Sequence, residues 1–278
     1  MAWDALLPSL PACLMLAAVG LCDEPPRRTV RVAGIVLKWL RTEKSRNLAR
    51  AEPMIREAAK HGAHIVCTTE CFLDGYAIAD KSIPLAAYRA LGEPIPGGED
   101  FRKLAALADG LDIHLVAGML EAGGEARYNT AVLIGPDGTL IGKYRKQELG
   151  HEKVRNSPGR ESLVFTTPYG RMGVMVCADR RFPKLVARFV TNGASFLLCP
   201  SGGMFGPKTN DPIVQARSRE NRTHIVFVHP AEFLVTGPTG DILSRTILGD
   251  GLVISPDQVG GKHDLNRVFY FNLPLSRP

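Results

Sequence analysis

The stretch that decides the fold reads Gly173-Val-Met-Val-Cys177-Ala-Asp179-Arg-Arg-Phe-Pro183. Its first half is apolar and typical of a buried β-strand, and the strand pattern ends at a thiol that is followed by charged residues. Open α/β sheets place reactive groups at such a point, where a buried strand gives way to a turn and then to a helix that starts with proline. The stretch therefore predicts an α/β enzyme with Cys177 as its nucleophile.

Two upstream segments carry the side chains that such a thiol needs. They read Thr69-Glu70-Cys71-Phe-Leu-Asp-Gly75-Tyr76 and Gly142-Lys143-Tyr144-Arg145-Lys146. A thiol is a poor nucleophile until it becomes a thiolate, so Cys177 needs a base or a cation beside it. Glu70 is the candidate base, which would take the thiol proton, pass it to the leaving amine and then activate water. Lys146 is the candidate cation, which would stabilise the oxyanion together with the backbone N–H of Ala178.

The composition excludes several classes of protein. A chain of 278 residues with 45% hydrophobic and 22% charged residues has the make-up of a globular protein with a substantial core. Its net charge of +6 is modest, and basic residues are neither clustered in long runs nor interleaved with aromatic residues. These features argue against a nucleic-acid partner.

The six cysteines are too few for a disulfide scaffold in a chain of this length. Cys67 and Cys71 have no histidine-rich partner segment, and a zinc site needs about four converging ligands. We therefore predict no metal site, and we interpret Cys67 and Cys199 as small buried side chains.

Residues 1–28 are predicted to be a signal-like apolar segment followed by a polar linker. Residues 5–22 carry no charge, and small residues at 18–20 would suit a cleavage site. However, no basic residue precedes Arg27, and the segment is short for a membrane span. Export is slightly favoured over a cytoplasmic location, with an uncleaved extension or a misplaced start codon as alternatives. The folded domain is predicted over residues 29–278.

Strand and helix patterns alternate through that domain with no linker between its halves, which predicts one layered α/β domain. Pro53 falls inside the first helix and should kink or restart it. Gly135-Pro-Asp-Gly138 predicts a hairpin between its flanking strands. The predicted strands are 29–37, 63–68, 113–118, 130–134, 139–144, 162–167, 170–177, 194–199, 223–228, 241–246, 251–254 and 268–273, and the predicted helices are 42–61, 100–109, 183–192 and 212–222.

Three ordered blocks make the chain, from about Val30 to its last strands, resemble the nitrilase superfamily of carbon–nitrogen hydrolases. A glutamate block comes first, a lysine block follows, and a cysteine block comes last. They are Gly62-Ala-His-Ile-Val-Cys-Thr-Thr-Glu70 with Gly75-Tyr76; Tyr128-Asn-Thr-Ala131 with Gly142-Lys-Tyr-Arg-Lys146; and Gly170-Arg-Met-Gly173 with Cys177-Ala-Asp-Arg-Arg-Phe-Pro183, Gly193-Ala194 and Pro200-Ser201.

The resemblance implies a four-layer α-β-β-α sandwich and a catalytic triad of Glu70, Lys146 and Cys177. Members of the family often carry a second glutamate six residues before a Pro-Gly pair, which here is Glu152. We assign it to positioning the substrate and tuning the lysine, and we assign Tyr76 and Ala178 to substrate positioning as well. The family needs no cofactor, and its members usually form homodimers or larger homo-oligomers.

Other features of the resemblance concern the helix and the pocket. The segment Ala216-Arg-Ser-Arg-Glu-Asn221 resembles a helix that would brace the cysteine loop through ion pairs. The chain departs from the family at Thr69, where proline is usual, at Ala178, where a larger side chain is usual, and at His229-Pro230, where asparagine is common. We expect the pocket walls to come from the loops at 71–82, 120–128, 148–160 and 202–211.

These observations predict hydrolysis of a non-peptide C–N bond in a small amide or N-carbamoyl compound through a cysteine thioester. Asp179, two residues after the cysteine, resembles the amidase and carbamoylase branches, and a nitrilase acting on a nitrile is the alternative. Two further readings stay open from the residues: a cysteine protease that pairs Cys177 with His229 or His224, and a non-catalytic binding protein on the same fold.

Overall fold

The structure, a computed structural model, describes residues 29–161, 164–203, 205–249 and 251–275. The predicted signal-like segment and linker lie outside the described residues. The strands are β1 Thr29–Val36, β2 Ile65–Cys67, β3 His114–Gly123, β4 Ala126–Ile134, β5 Leu140–Arg145, β6 Val164–Thr167, β7 Gly170–Val174, β8 Phe196–Pro200, β9 His224–His229, β10 Glu232–Thr236, β11 Ile242–Ile247 and β12 Arg267–Pro274. The helices are α1 Lys44–Lys60, α2 Leu85–Ala90, α3 Glu99–Leu111, α4 Pro183–Thr191 and α5 Pro207–Asn221, and short 3-10 turns lie at Ala77–Ala79, Gly150–Val154, Cys177–Arg181 and Pro256–Gln258.

These strands form two six-stranded sheets. The first has the order β12-β1-β2-β3-β4-β5, and the second has the order β11-β10-β9-β8-β7-β6. The central strands β1, β2 and β3 are parallel, as are β7, β8 and β9, and antiparallel strands flank both sets. Each sheet therefore has a parallel centre whose strands end at one common edge.

The two sheets pack face to face, and helices cover their outer faces. Strand β1 shows why, because its side chains alternate between the two faces of the sheet. Val30, Val32 and Val36 join a core shared with the second sheet, α4 and α5, whereas Ala33 and Ile35 join a core shared with α1 and α3. The predicted α-β-β-α sandwich is confirmed.

Several predicted elements differ from those in the structure. Helix α1 is one uninterrupted helix through Pro53, so a restart there is wrong. The stretch 251–254 is not a strand, because its pairing is limited to one bridge between Val253 and Trp39. Helix α5 begins at Pro207 and contains Pro212, with which the predicted helix starts. The predicted hairpin at Gly135–Gly138 is confirmed as β4 paired with β5.

Two elements have no counterpart in the predictions. Strand β10 is missed because the buried polar Glu232 interrupts its apolar pattern, yet the strand pairs with both β9 and β11. The short helix α2 is also missed. Among the described residues, no helix is long and apolar enough to span a membrane.

Candidate active site

The three residues of the predicted triad each follow the end of a strand. Glu70 comes after β2 and Lys146 after β5. These two strands run in the same direction, because β3 is parallel to β2 and β4 is antiparallel to both β3 and β5. Their carboxyl ends therefore share one edge of the first sheet. Cys177 follows β7 of the facing sheet. All three side chains are buried, with at most 4% of any of these residues exposed.

Lys146 is the centre of a buried polar cluster. Its Nζ donates a hydrogen bond to Oε1 of Glu70 at 2.6 Å and to Oε1 of Glu152 at 2.5 Å. The Asn129 amide donates to both carboxylates as well, at 2.7 Å to Glu70 Oε1 and 3.1 Å to Glu152 Oε2. The Tyr76 hydroxyl donates to Glu152 Oε1 at 3.2 Å. The structure thus places the predicted residues Glu152 and Tyr76 in one cluster with Glu70 and Lys146.

Asn129 is a member of this cluster that the sequence-based list of site residues lacks. It belongs to the Tyr128–Ala131 part of the lysine block, so the sequence contains a signal for it. Its side chain donates to both carboxylates that share the Lys146 ammonium. A buried carboxylate needs such donors, because burial without hydrogen bonds is costly. Asn129 is therefore a structural partner of the acid pair.

The backbone around the site adopts a rare conformation at non-glycine residues. Cys177 has φ of 47°, and Cys71 and Tyr76, which both follow Glu70 along the chain, have φ of 43° and 54°. Such left-handed residues cost about 1–3 kcal/mol each and persist where the surrounding structure enforces them. At Cys177 this conformation starts the 3-10 turn at 177–181, so the thiol sits on a sharp bend directly after the strand.

Asp179 ties the cysteine turn to the lysine segment. Its Oδ2 accepts hydrogen bonds from the Val176 backbone N–H at 2.9 Å and from the Tyr144 hydroxyl at 2.8 Å. Its Oδ1 accepts from the backbone N–H of Glu148 at 2.9 Å. Burial raises the pKa of Asp179 to about 6, and these donors oppose that rise. One carboxylate thereby fixes the thiol relative to the residues on either side of Lys146.

Two consecutive glycines line the space beside the base and the thiol. A Cβ atom at Gly202 would lie 3.0 Å from Oε2 of Glu70, and a Cβ atom at Gly203 would lie 3.3 Å from the sulfur of Cys177. The Glu70 Oε2 atom is buried and has no hydrogen-bond partner among the described residues. The one unengaged carboxylate oxygen of Glu70 and the thiol sulfur therefore face neighbouring positions of the same loop.

The charges of the cluster are strongly coupled. Burial raises the pKa of Glu70, the ammonium of Lys146 opposes this, and the negative charge of Glu152 adds to it. Burial would lower the pKa of Lys146, but Glu70 and Glu152 hold it well above its usual value. Burial and the nearby Glu70 raise the pKa of the Cys177 thiol, whereas Lys146 and Arg180 lower it. The resting site therefore pairs a charged ammonium with a protonated thiol, which a base must deprotonate.

The remaining described cysteines have the environment of core residues. Cys67, Cys71 and Cys199 are free thiols and are buried. Burial raises the pKa of each, to about 12 for Cys199. In the described part of the chain, no group of three or more histidine, cysteine, aspartate or glutamate side chains is placed to hold a metal ion.

His229 does not have the surroundings of a protease base. Its Nε2 lies 2.8 Å from the carbonyl oxygen of Gly203, and its Nδ1 accepts a hydrogen bond from the Ala231 backbone N–H at 3.2 Å. Both ring nitrogens are therefore engaged with backbone, as in a neutral imidazole whose Nε2 is the donor. Burial lowers the pKa of His229 to about 4. The residue positions the glycine loop next to Cys177.

A cleft of about 470 Å³ opens beside that loop. Among the predicted pocket walls, the loop at 202–211 contributes Phe205, Gly206 and Pro207. A wall that the sequence analysis missed is formed by Ile247, Gly249 and residues 251–253. Arg41 is the charged residue of this lining and donates to the backbone carbonyl of Tyr76 at 2.5 Å. A second cavity of about 560 Å³ lies along Tyr128, Lys143, Arg145 and residues 157–161.

The predicted bracing of the cysteine loop by the segment 216–221 takes another form. Its ion pair joins Arg217 to Glu220 at 3.0 Å within α5. The contact between α5 and the cysteine turn is made instead by Asn210, whose amide oxygen accepts a hydrogen bond from Arg180. The bracing element is therefore the first turn of α5. This turn lies before Pro212, where the predicted helix starts.

Comparisons with known proteins agree with this fold. Residues 29–259 match the family model described as carbon–nitrogen hydrolase. The chain is 33% identical over 238 residues to omega-amidase NIT2 of Homo sapiens, a match that covers 76% of this chain and 83% of that protein. Saccharomyces cerevisiae Nit3, a member of branch 10 of the nitrilase superfamily, has a TM-score of 0.74 and 26% identity over 89% of this chain and 90% of its own. An amidase from Nesterenkonia sp. shares the fold, with a TM-score of 0.71 and 21% identity over 88% of this chain and 90% of its own.

The sandwich of two facing sheets and the family match define the class of protein as a hydrolase of C–N bonds. The chain belongs to the carbon–nitrogen hydrolase family, within the amidase-like part of the nitrilase superfamily. The predicted resemblance, the fold and the prediction of a hydrolytic enzyme are confirmed. The reading as a non-catalytic binding protein and the reading as a protease are not supported by these relatives.

Proposed function

We propose that this enzyme hydrolyses the C–N bond of a small amide, with Cys177 as nucleophile, Glu70 as general base and acid, and Lys146 as the oxyanion-stabilising cation. The observation that carries the proposal is that the two carboxylate oxygens of Glu70 have different environments. One carboxylate oxygen is held by Lys146 and Asn129, while the other has no partner among the described residues and faces the loop that borders the sulfur.

In the first half of the reaction, Glu70 accepts the thiol proton as the Cys177 sulfur attacks the amide carbonyl carbon. The new S–C bond places a negative charge on the carbonyl oxygen, which the Lys146 ammonium and the backbone N–H of Ala178 stabilise. Removing one such donor typically costs about 3–4 kcal/mol of transition-state stabilisation. The C–N bond then breaks, and the leaving amine takes the proton from Glu70 so that a neutral amine departs and a thioester remains.

In the second half, Glu70 removes a proton from a water molecule that attacks the thioester carbonyl. The S–C bond breaks, the thiolate recovers the proton from Glu70, and the carboxylic acid leaves. A carboxylate suits both directions of transfer when its pKa is raised toward neutrality, and burial has that effect on Glu70. Glu152 and Tyr76 are proposed to position the substrate amide and to hold the lysine.

The relatives support an ω-amide as the substrate. Several curated relatives carry the name omega-amidase, and the human one is 33% identical to this chain. An N-carbamoyl compound is the second candidate, because Ala178 stands where the family usually has a larger side chain and is half-buried beside the thiol. A nitrile is the third candidate, for a nitrilase reading of the same site.

An ammonia-release screen over ω-amides, N-carbamoyl amino acids and nitriles tests the proposal, with the Cys177→Ala variant as the blank. We expect release from at least one ω-amide and none from the variant. The substrate that is consumed separates amides from nitriles, which both yield the acid and ammonia, and the release of carbon dioxide identifies a carbamoyl compound. Ammonia release that survives in Cys177→Ala would overturn the nucleophile assignment.

The predicted assembly and location are proposals of the same kind. A homodimer or larger homo-oligomer is expected from the family resemblance, and light scattering coupled to gel filtration measures it. An export signal in residues 1–22 is expected to be cleaved near Ala18 or Gly20, which leaves a mature chain that begins just before the polar linker. Amino-terminal sequencing of the protein from its native host measures that, and an intact residue 1 would contradict export with cleavage.

A further inference from the structure

We propose that Arg180 is a second catalytic cation, which stabilises the Cys177 thiolate directly. The inference rests on the proposed function only in taking Cys177 as the reacting thiol. Arg180 lies three residues after the cysteine, on the same 3-10 turn, and only 2% of it is exposed. A buried arginine at this point is unexpected unless its charge has a partner, because Arg is almost never fully buried without one.

The geometry aims the guanidinium at the nucleophile. Nη1 of Arg180 lies 3.6 Å from the Cys177 sulfur and donates to the Cys177 carbonyl oxygen at 2.6 Å. The central carbon of the guanidinium lies 5.2 Å from the centre of the Phe227 ring. Nη1 of Arg180 therefore contacts both the backbone and the sulfur of Cys177. These two contacts hold the guanidinium next to the thiol.

The other end of the guanidinium is fixed by a neutral group. Nη2 of Arg180 donates to the amide oxygen of Asn210, whose own amide nitrogen donates to the Phe205 carbonyl oxygen at 2.7 Å. The hydrogen-bond partners of Arg180 among the described residues, Cys177 and Asn210, are uncharged in the resting state. The positive charge is thus oriented without being neutralised, and it is available to an anion that forms at the sulfur.

The position of the negative charge in the buried cluster explains why a second cation is needed. Lys146 already serves two buried carboxylates, Glu70 and Glu152, through bonds of 2.6 Å and 2.5 Å. When Glu70 takes the thiol proton, the negative charge moves from a carboxylate bonded to Lys146 to the Cys177 sulfur, and a buried anion without a counter-charge beside it is strongly disfavoured. Arg180 supplies that counter-charge, because it lies on the same turn as Cys177 and contacts its sulfur.

The other titratable groups around the thiol do not supply it. The titratable groups that face Cys177 or Arg180 come from five elements: Glu70 and Tyr76 from the loop after β2, Lys146 after β5, Asp179 and Arg180 on the cysteine turn, Cys199 of β8, and His229 of β9, whose pKa burial lowers to about 4. Among these, Lys146 and Arg180 are the cations. Their loss should therefore have separable effects on the thiol.

The test measures the rate at which iodoacetamide alkylates Cys177 as a function of pH, followed by peptide mass mapping. The variants are Arg180→Met, which keeps a long unbranched side chain without the charge, and Arg180→Lys, which keeps the charge. Arg56→Gln removes a charge from an exposed surface ion pair and is the matched control. We expect Arg180→Met to raise the thiol pKa by about one unit or more, and so to slow alkylation about tenfold below that pKa. Arg180→Lys should fall between, and Arg56→Gln should match the wild type.

A thiol titration in Arg180→Met that coincides with the wild type would overturn the proposal. If circular dichroism shows that Arg180→Met does not fold, Asn210→Asp gives the second test. That variant places a carboxylate on the far end of the guanidinium and should also raise the thiol pKa, and an unchanged titration there contradicts the proposal equally. Alkylation requires no amide turnover, so an enzyme inert toward amides with an Arg180-dependent thiol would refute the proposed function alone. Amide hydrolysis with an Arg180-independent thiol would refute this inference alone.

Discussion

Lys146 Nζ lies 2.6 Å from Glu70 Oε1, and both residues are buried, with 2% and 0% exposure. This contact joins segments that are 76 residues apart in the chain. It holds the proposed base in place through one oxygen, while the other has no hydrogen-bond partner among the described residues and lies beside the glycine loop that borders the sulfur. The Lys146–Glu70 ion pair thus stabilises the fold and also positions the proposed base. Its removal should lower both the stability of the protein and the rate of the reaction.

Lys146→Met should destabilise the fold by about 3–5 kcal/mol, because it leaves Glu70 and Glu152 buried without their cation. Urea unfolding measures this, and Lys103→Met, which removes an exposed lysine paired with Glu99, should leave the free energy of unfolding nearly unchanged. In the variant, the unpaired carboxyls would have a folded-state pKa above the unfolded-state value. Their protonation therefore stabilises the folded state at low pH, and this stabilisation is lost as the pH rises through the folded-state pKa. The variant should therefore be less stable at about pH 8 than at about pH 5, and an equal or opposite order would contradict the account.

Glu152→Gln should move the acid limb of the pH–rate profile to lower pH. Glu70 must be ionised to accept the thiol proton, so the rate falls as the pH drops through its raised pKa. The negative charge of Glu152 contributes to that rise, and its removal also leaves Lys146 to Glu70 alone. The profile of kcat/KM measures the limb, and Glu125→Gln on the exposed surface is the control. A limb that moves to higher pH would show that Glu70 is not the titrating base.

Asp179→Asn should lower activity more than Tyr144→Phe does. Aspartate accepts hydrogen bonds through both oxygens, from Val176, Tyr144 and Glu148, whereas asparagine turns an NH2 group toward one set of donors. Tyr144→Phe removes a single donor and should cost about 1 kcal/mol of stability. Measurement of kcat and of the urea midpoint for both variants checks the order. Equal kinetics for the two would mean that Asp179 does not position the thiol.

Gly203→Ala should reduce kcat strongly with little loss of fold. The added Cβ would stand 3.3 Å from the nucleophilic sulfur, and a displacement of about 1 Å at a reacting group can cost about a hundredfold in rate. Gly110→Ala in α3 is the control, because a Cβ there meets no heavy atom within 4 Å and the residue lines neither cavity. Steady-state kinetics with the best amide from the screen compares the two. Full activity in Gly203→Ala would place the reaction away from this loop.

Much of the site was predictable because its residues follow local strand endings. Glu70 and Cys177 come directly after apolar stretches, and the carboxyl ends of parallel strands are where such sheets gather reactive groups. Lys146 could be found only through its block, because nothing in Lys-Tyr-Arg-Lys distinguishes it from the neighbouring Lys143 and Arg145. The structure separates them, since these two pair with Glu121 and Lys146 points into the core cluster.

Other features depend on contacts that no local pattern encodes. The role of Arg180 requires Asn210, which lies 30 residues later on a helix that the sequence analysis started at Pro212. The neutral state of His229 follows from its burial, which depends on the packing of segments that are distant in the chain. The left-handed backbone at Cys177 is likewise imposed by the tertiary setting, because cysteine has no intrinsic preference for it.

The most direct test of the central claim is to trap the covalent intermediate on Cys177. The protein is mixed with a reactive ω-amide, quenched in acid within the first turnovers, digested and mapped by mass spectrometry, with Cys177→Ala treated in parallel. The account predicts an acyl group on the peptide that contains Cys177 and none on the peptides of Cys67, Cys71 or Cys199. Turnover of the amide with no acyl group on Cys177, or with the acyl group on another residue, would contradict it.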